Sequence, residues 1–506
     1  MVASIIGKVA GEVQPISGTV GAQGLGAQDR ARLSVQVLAK TMPVTQVAQA
    51  NGVSRKYVYR QAAKASRALE TAFAPQGPDE DRVLFHLPVT KDWIRQLVLA
   101  QVLIGHTSFR GVAEILDAVL DYQDISPATV HNIVAGVLPK ARAINDAQDL
   151  RGITVGAHDE IYQARRPVLV GMDVKSTYCY LLALAEHCDE TTWGVHLLDL
   201  EAQGLHPNYT VADGGLALRA GQAAAWDDVP CHGDVFHAER DLGELAFYLE
   251  RRASGRTHDR EKLEHQMERE KRRSQGHRLS KKLALARQEE TQAVALARDV
   301  RTIADWMRQD ILSLAGPSLA DRRDLFDFLA GELQARQEGC PHRIGPVRRA
   351  LQSQRDNLLA FAEVMEEQFS TVGDRLDVPP SLVQEVCELQ GIDLDNPVHW
   401  EREGGLRKRL GAKFLPLQEV VREVMADTCR ASSLVENLNS RLRNYFFLRR
   451  EIGHDYLDLL RFFLNHRCFV RSECPERVGK SPAELLSGQS HPHWLELLGF
   501  RRFHRN

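Results

Sequence analysis

Between residues 151 and 235 the sequence changes from helical periodicity to strand alternation, and this change constrains the fold most strongly. Three runs of alternating or β-branched residues are separated by polar turns of hairpin length, at 152–162, 166–176 and 177–186. A helical pattern then leads into a fourth strand, and a second helical pattern leads into a fifth. The segment predicts three antiparallel strands followed by a helix, a strand, a helix and a strand.

Two acidic residues stand at the ends of these strands. The predicted order is that of an RNase H-like mixed sheet, in which the ends of the first and fourth strands are neighbours. The first run ends at Asp159 and the fourth at Asp213, so the two carboxylates are expected to converge. Asp213 precedes two glycines that let another backbone or a phosphate come close, a setting that suits a metal ion. The alternative is that Asp213 caps the helix starting near Leu216.

Two nearby acids compete with Asp159. Asp173 also ends a strand, but the second strand runs opposite to the first, so Asp173 is expected at the far edge of the sheet. Glu160 alternates with Asp159 along the strand and is expected to face away from it. The pattern therefore favours Asp159.

A long helical segment follows the strands. Residues 254–312 carry no strand signal and combine heavy charge with periodic apolar residues, as in a helical hairpin or coiled coil. Further helices are predicted, with prolines as breaks, at 318–338, 344–372 and 379–389. This segment is predicted to be helical and locally basic.

The N-terminal part has the spacing of a helix-turn-helix over residues 43–65. One apolar face is followed by a turn at Asn51-Gly52 and by a new helix with Ser54 as N-cap. The second helix presents side chains that reach phosphates and base edges, namely Arg55, Lys56, Tyr57, Tyr59 and Arg60. Residues 107–138 repeat the plan, although an ordinary helical hairpin remains the alternative there.

The hydrophobic content of 43% and the charged content of 26% are ordinary for a soluble globular protein. The net charge of −3 hides Arg/Lys-rich stretches at 251–282 and 439–450, which suit nucleic acid or a solvated helix face. The eight cysteines form no Cys-x-x-Cys pair, and no segment resembles a signal peptide or a membrane span. We therefore expect a reduced, cytosolic protein that does not bind membranes.

Five short motifs resemble the DDE transposases of bacterial insertion sequences and their relatives among the Mutator-like and hAT elements. They are "HDEIYQARRPVLVGMD" around Asp159, "VADGG" around Asp213, "DVFHA" with Asp234 and His237, "LVENLNSRLRNYF" around Glu436, and the C-terminal "GKSPAELL". The similarity covers most of residues 151–253 and 429–488. Each motif is weak alone, and their order carries the resemblance.

The resemblance implies a site in which Asp159, Asp213 and Glu436 are the catalytic, metal-binding acids. Two Mg²⁺ ions are expected, with Mn²⁺ as a substitute, because strand cleavage and transfer need one cation at the attacking oxygen and one at the leaving oxygen. Asp234 and His237 resemble a motif near the metal site; a zinc site with Cys231 and His232 is the weaker alternative. On the helix of Glu436, Arg441 and Arg443 are expected to hold DNA phosphates.

The expected fold is mixed α/β, an RNase H-like catalytic domain interrupted by an all-helical insertion, with N-terminal helix-turn-helix segments. The domains are predicted as a helix-turn-helix domain at 28–70, a second helix-turn-helix-like domain at 85–148, a first catalytic part at 151–253, the insertion at 254–428, a second catalytic part with the catalytic Glu436 at 429–490, and a tail at 491–506.

The expected function is a metal-dependent DNA transposase that cuts and joins strands. Its expected partners are double-stranded DNA, both terminal inverted repeats and target, and further copies of itself in a homo-oligomer on DNA. The expected location is the bacterial cytoplasm, at the nucleoid. Two alternatives stay open: an RNase H-like nuclease, and a transposase-derived DNA-binding regulator that does not cut.

Overall fold

The structure is a computed structural model that describes residues 25–73, 83–271, 277–448 and 453–504. The chain divides into two compact units, one ending at Pro88 and one spanning Val89–His504. Among the described residues, no helix combines the length and the apolar character needed to cross a membrane.

The first unit contains three helices, α1 Ala27–Leu38, α2 Val44–Ala50 and α3 Arg55–Ala72. The turn between α2 and α3 needs a positive φ of 63° at Gly52, which glycine adopts without strain. Ser54 then caps α3 by accepting a hydrogen bond of 3.2 Å from the N–H of Tyr57. The buried core consists of Leu25, Leu33, Val47, Ala48 and Val58. The two helices and the turn lie where the helix-turn-helix spacing predicts them.

The second unit begins with α4 Lys91–Leu103, α5 Phe109–Leu120 and α6 Pro127–Asp146. Ser126 and Thr129 form a reciprocal capping box at the start of α6, as the Ser-Pro pattern predicts. All three helices, however, contribute to the hydrophobic core that also contains one face of the central sheet. Residues 85–148, expected as a domain of their own, therefore pack as one body with the sheet from Val89 onward.

A mixed five-stranded sheet lies at the centre of this unit, formed by β1 Val155–Gln163, β2 Arg166–Asp173, β3 Cys179–Leu184, β4 Tyr209–Ala212 and β5 Cys231–Gly233. The strand order is β3-β2-β1-β4-β5. β1, β2 and β3 pair antiparallel, whereas β4 and β5 run parallel to β1. The run expected to end at Asp159 is longer, because β1 continues to Gln163 while paired with β2.

Helices cover both faces of the sheet. α7 Glu190–Ala202 and α8 Leu216–Ala225 pack on one face, around the buried Trp193 and Trp226. α16 Ser433–Phe447 and α17 His454–His466 pack with α4, α5 and α6 on the other face. The sheet is thus the middle of three layers. Intervening and following helices are α9 Val235–Lys271, α10 His277–Trp306, α11 Leu319–Ala335, α12 Pro341–Leu376, α13 Pro380–Gln390, α14 Pro397–Leu410, α15 Phe414–Asp427, α18 Pro482–Ser487 and α19 Trp494–Leu497.

Helices α9 to α15 build a separate hydrophobic core, which extends from Val235 to Val424. In this part of the chain, the described residues 254–271 and 277–428 contain no strand. The expected boundary at residue 253 falls inside α9, which begins directly after β5. One member of this helical body reaches the sheet: a Cβ on Gly233 would lie 3.1 Å from the α12 backbone at Asn357. The helices therefore pack against the end of β5.

The last residues are also packed. Trp494 in α19 is 2% exposed and lies in the core that faces the sheet. The described part of the expected tail at 491–506, up to residue 504, thus contributes to the core of the second unit.

Candidate functional site

Asp159 and Asp213 lie next to each other on neighbouring strands. In the parallel pair of β1 and β4, His158 is opposite Ala212. Asp159 follows His158 on β1, and Asp213 is the first residue after the end of β4, so the two aspartates follow the same register. This is the convergence that the predicted strand order required.

The Asp159 side chain is 7% exposed and already has two hydrogen-bond donors. Its Oδ1 accepts from the N–H of Glu160 at 2.8 Å, and its Oδ2 accepts from Nδ2 of Asn439 at 2.7 Å. Burial raises the pKa of Asp159 to about 7, and the negative charges of Glu436 and Asp213 act in the same direction. Glu436 and Asp213 are therefore both close enough to Asp159 for their charges to act on it.

Asp213 does not cap the helix that follows it. The N-cap of α8 is Gly215, and Asp213 instead accepts a hydrogen bond of 2.8 Å from the Gly215 N–H through Oδ1. This contact closes a tight turn after β4 and leaves the carboxylate at a cleft of about 160 Å³. The cleft is lined by residues of the turn after β4, by Asp234 between β5 and α9, and by residues of α9 and α12, among them His237, Arg240 and Gln354.

Arg219 holds the ends of β4 and β5 together, a role that the sequence gave no reason to expect. Its guanidinium donates to the carbonyl oxygens of Asp213 at 3.1 Å and Cys231 at 3.0 Å, with further contacts to Ala212 and His232. Arg219 lies six residues after Asp213 on α8, so its side chain can reach back over the first turn. The position of Asp213 thus depends on a cation behind the strand ends.

Asp234 joins three elements behind the acids. Its carboxylate is buried, accepts a hydrogen bond of 2.5 Å from Nδ1 of His237 on α9, and accepts one from the Ser432 hydroxyl at the start of α16. The Ser432 N–H also donates to it at 3.2 Å. The hydrogen bond to Asp234 raises the pKa of His237, whereas its own donors lower the pKa of Asp234 against the effect of burial. Asp234 and His237 therefore hold α9 and the start of α16 in place around the acids.

Glu436, in the first turn of α16, faces three cationic side chains. Its Oε1 lies 3.4 Å from Nε2 of His237 and 3.7 Å from Nη1 of Arg240, and its Oε2 lies 3.9 Å from Nη2 of Arg443. Arg443 is thus beside the acid, as expected. Arg240 was not anticipated, although it follows His237 by three residues and so shares its helix face.

Arg441 lies elsewhere. It follows Glu436 by five residues, which places it on roughly the opposite side of a helix with 3.6 residues per turn. Burial lowers the pKa of Arg441, Tyr445 acts against this shift, and the charge of Arg467 adds to it. Arg441 therefore does not lie beside Glu436 as Arg443 does, and its expected contact with DNA phosphates stays a prediction.

The two competing acids occupy different environments. Asp173 is paired with Gly156, three residues before Asp159 on β1, and accepts a hydrogen bond of 2.7 Å from the Ser176 N–H. It closes the turn between β2 and β3, at the edge where it was expected. Glu160 alternates with Asp159, but burial and then the charge of Asp213 raise its pKa, so it is not remote from the site.

In the first unit, the surface of α3 carries most of the predicted DNA contacts. Arg55, Lys56 and Arg60 are exposed, and Tyr59 is 60% exposed. Tyr57 is half-buried and packs against the core of the three helices, so only part of it faces solvent.

Asp159, Asp213 and Glu436 come close together, but they do not form the coordination shell of a metal ion. Within residues 25–73, 83–271, 277–448 and 453–504, no three His, Cys, Asp or Glu side chains are placed as ligands of a single metal ion. Asp159 instead accepts a hydrogen bond from Asn439, and Asp213 accepts one from the Gly215 N–H. Glu436 lies beside His237 and the other cationic side chains around it. The zinc alternative gains no support, because Cys231, His232, Asp234 and His237 form no such group of three ligands in the described part of the chain, and the His232 ring stacks on Tyr209.

Compared with protein families and with curated proteins, the sequence has no match. The geometry and charge of the site are therefore the basis for assigning a function.

Proposed function

We propose that the protein is a DDE-type DNA transposase that cuts and joins DNA strands at Asp159, Asp213 and Glu436. The observation that carries the proposal is the register of β1 and β4, which sets Asp159 beside Asp213 while the charge of Glu436 acts on the same buried carboxylate. Acids that are this far apart in sequence and still repel one another in the fold are typical of functional sites.

We further propose that the fold is an RNase H-like catalytic domain with an all-helical insertion. In support, three antiparallel strands are followed by two that run parallel to β1, in the order β3-β2-β1-β4-β5. The chain leaves the sheet at Asp234 and returns at Ser432, and helices with their own core fill the interval. The insertion therefore enters and leaves beside the acids.

The charge at the site fits two divalent cations. Burial raises the pKa of Asp159, and the negative charges of Glu436 and Asp213 add to the effect. Carboxylate oxygens are the ligands that Mg²⁺ prefers. The amide oxygen of Asn439 is also buried beside Asp159 and has no hydrogen-bond partner, so the site has unsatisfied oxygen acceptors. Asp159, Asp213 and Glu436 would hold Mg²⁺ or Mn²⁺, which would activate the attacking oxygen and stabilise the leaving oxygen.

The surrounding residues orient the acids. Asn439 fixes the Asp159 carboxylate, and the buried Asp234 fixes both His237 and the first turn of α16, which carries Glu436. Arg240 and Arg443 hold positive charge beside Glu436, where they are available to DNA phosphates.

The N-terminal unit supplies recognition in this proposal. The exposed face of α3 fits a recognition helix, with Arg55, Lys56, Tyr59 and Arg60 toward double-stranded DNA. The substrates are the terminal inverted repeats and target DNA. A homo-oligomer is proposed because two ends must be brought together, and the place of action is the bacterial cytoplasm, at the nucleoid.

The test is strand cleavage and joining with Mg²⁺ or Mn²⁺ on duplexes that carry the inverted repeats flanking the coding region. Asp159→Asn, Asp213→Asn and Glu436→Gln keep the size of each side chain but remove its charge, so cleavage should fall by orders of magnitude while DNA binding persists. The three losses should not add, because the acids act as one site.

Asp173→Asn is the matched control, since Asp173 is buried in the same sheet but closes the turn at Ser176. It should keep most of the activity. Wild-type protein that binds ends without cutting would support the regulator instead, and cutting without joining would support an RNase H-like nuclease. An Asp213→Asn protein that cuts at the wild-type rate would return Asp213 to a turn-forming role.

A further inference from the structure

A second group of cationic side chains lies where α16, the end of α17 and the connection after α4 meet. It consists of His106, Arg441 and Arg467, hereafter the basic cluster. The His106 ring packs edge-on against Tyr445, with the ring centroids 4.4 Å apart, and Tyr445 donates a hydrogen bond of 2.6 Å to the Leu103 carbonyl. Tyr445 is one turn after Arg441 on α16, so the three elements are held in one arrangement.

No carboxylate neutralises the basic cluster. In the described part of the chain, neither Arg441 nor Arg467 forms an ion pair with an acid. Burial lowers the pKa of Arg441, and the charge of Arg467 acts in the same direction. Burial likewise lowers the pKa of His106, with Arg467 and then Arg441 adding to the effect. Crowded like charges without a counter-charge are costly in a folded protein, which makes an external anion favourable here.

The cluster also contains a polar atom without a partner. Nδ1 of His106 is buried and forms no hydrogen bond, and His106 has a φ of 49°, in the left-handed region that non-glycine residues rarely adopt. The Arg467 guanidinium lies over the Phe463 ring, 5.6 Å from its centroid, and Arg441 is exposed as a whole residue although its charged group is desolvated. The cluster is therefore both held in place and reachable from solvent.

We propose that the basic cluster binds a phosphate group, and that this phosphate is a phosphodiester of the DNA backbone. The identification of DNA rests on the proposed function, whereas the phosphate site itself does not. Two guanidinium groups offer the planar, paired donors that suit phosphate oxygens. α16 carries Glu436 and Arg441 about 7.5 Å apart along its axis, so a phosphate held at the cluster has a fixed distance to the acidic site.

The first experiment measures the affinity of duplex DNA as a function of salt. Each phosphate contact contributes about one unit to the slope of log affinity against log salt. The double variant Arg441→Gln/Arg467→Gln should therefore lower the slope by about two units. Arg151→Gln is the matched control, because it removes an exposed arginine that is already paired with Asp149. A slope equal to that of the wild type in the double variant would overturn the assignment to DNA.

The second experiment uses inorganic phosphate alone. Phosphate should raise the Tm of the full-length wild-type protein relative to chloride at equal ionic strength, and the double variant should lose part of that rise. An equal rise in both proteins would overturn the site. A lost rise with an unchanged DNA slope would assign the cluster to a free phosphate instead of DNA.

Both measurements remain informative if the double variant does not fold, because the single variant Arg467→Gln should lower the slope by about one unit. The two measurements are also independent of the cleavage assay that tests the acidic site. Asp159→Asn protein that still cuts DNA would end the transposase proposal without changing the slopes, and unchanged slopes in the arginine variants would end the assignment of the cluster to DNA without changing cleavage.

Discussion

Asn439 donates a hydrogen bond of 2.7 Å to Oδ2 of Asp159, and both side chains are buried. The two residues come from α16 and β1, so this contact fixes the helix of Glu436 on the strand of Asp159. The orientation of the Asp159 carboxylate therefore depends on the hydrogen bond from Asn439 as well as on the backbone of β1.

Asn439→Ala is expected to lower the cleavage rate roughly 10- to 100-fold, as is usual when a partner of a ligating residue is lost. The Asp159 carboxylate would lose a donor and with it a fixed orientation, while DNA binding would remain. Single-turnover cleavage and a binding titration separate the two effects. Asn437→Ala, on the exposed side of the same helix, is the control and should cut normally.

Asp159→Asn is expected to stabilise the metal-free protein, and more so at pH 8 than at pH 4. The folded-state pKa of about 7 lies above the unfolded value of about 3.9, so the wild type loses stability as pH rises from about 4 to about 7. The neutral amide avoids this loss. Thermal unfolding at the two pH values measures it, and an equal change of Tm at both would contradict the charge crowding.

Arg55→Ala/Lys56→Ala is expected to weaken binding to the inverted repeats and to reduce the salt slope by about two units. Both side chains are exposed in the first turn of α3, where a recognition helix meets DNA. Arg67→Ala, an exposed arginine three turns further along the same helix, serves as the control. An unchanged slope in the double variant would place recognition outside α3.

Arg322→Met is expected to destabilise the helical body by about 3 kcal/mol or more, because buried carbonyls would lose their donor. The Arg322 side chain is 2% exposed and donates to the carbonyls of Ser313 at 2.6 Å and Pro317 at 2.7 Å, among others. Hydrogen exchange in residues 307–335 should accelerate. Arg308→Met, which changes an exposed arginine, should leave the exchange unchanged.

The parts of the fold with local signals were predictable from sequence. Alternation marks the strands, and the Asn51-Gly52 turn with Ser54 marks the start of α3. The adjacency of Asp159 and Asp213 follows from strand order, because parallel neighbours bring successive strand ends to one edge. The side of α16 on which each arginine lies was also predictable. Arg441 follows Glu436 by five residues and so lies on roughly the opposite side of the helix, whereas Arg443 follows it by seven, about two turns, and lies on the same side.

Other features depend on tertiary packing, about which a local sequence pattern carries no information. Residues 107–138 have the helical hairpin that the spacing predicts, but their apolar faces join the core of the sheet. The pairing of Asn439 with Asp159 joins residues 280 positions apart, and Arg219 holds strand ends that only the folded sheet brings together. A sequence without aligned relatives gives no signal for such contacts.

The hydrogen bonds between Asp234 and Ser432 join residues that are 198 positions apart, at the two ends of the helical body. A ribosome makes the five strands first, and it makes the first turn of α16 only after all of α9 to α15. A growing chain therefore carries Asp159 and Asp213 without Glu436 until the whole helical body has been made. Closing so long a loop costs conformational entropy, and a helical body that folds first shortens the gap to be closed. The acidic site is thus completed only after the helical body has been made, and a nascent or truncated chain that ends within the helices has no complete set of acids.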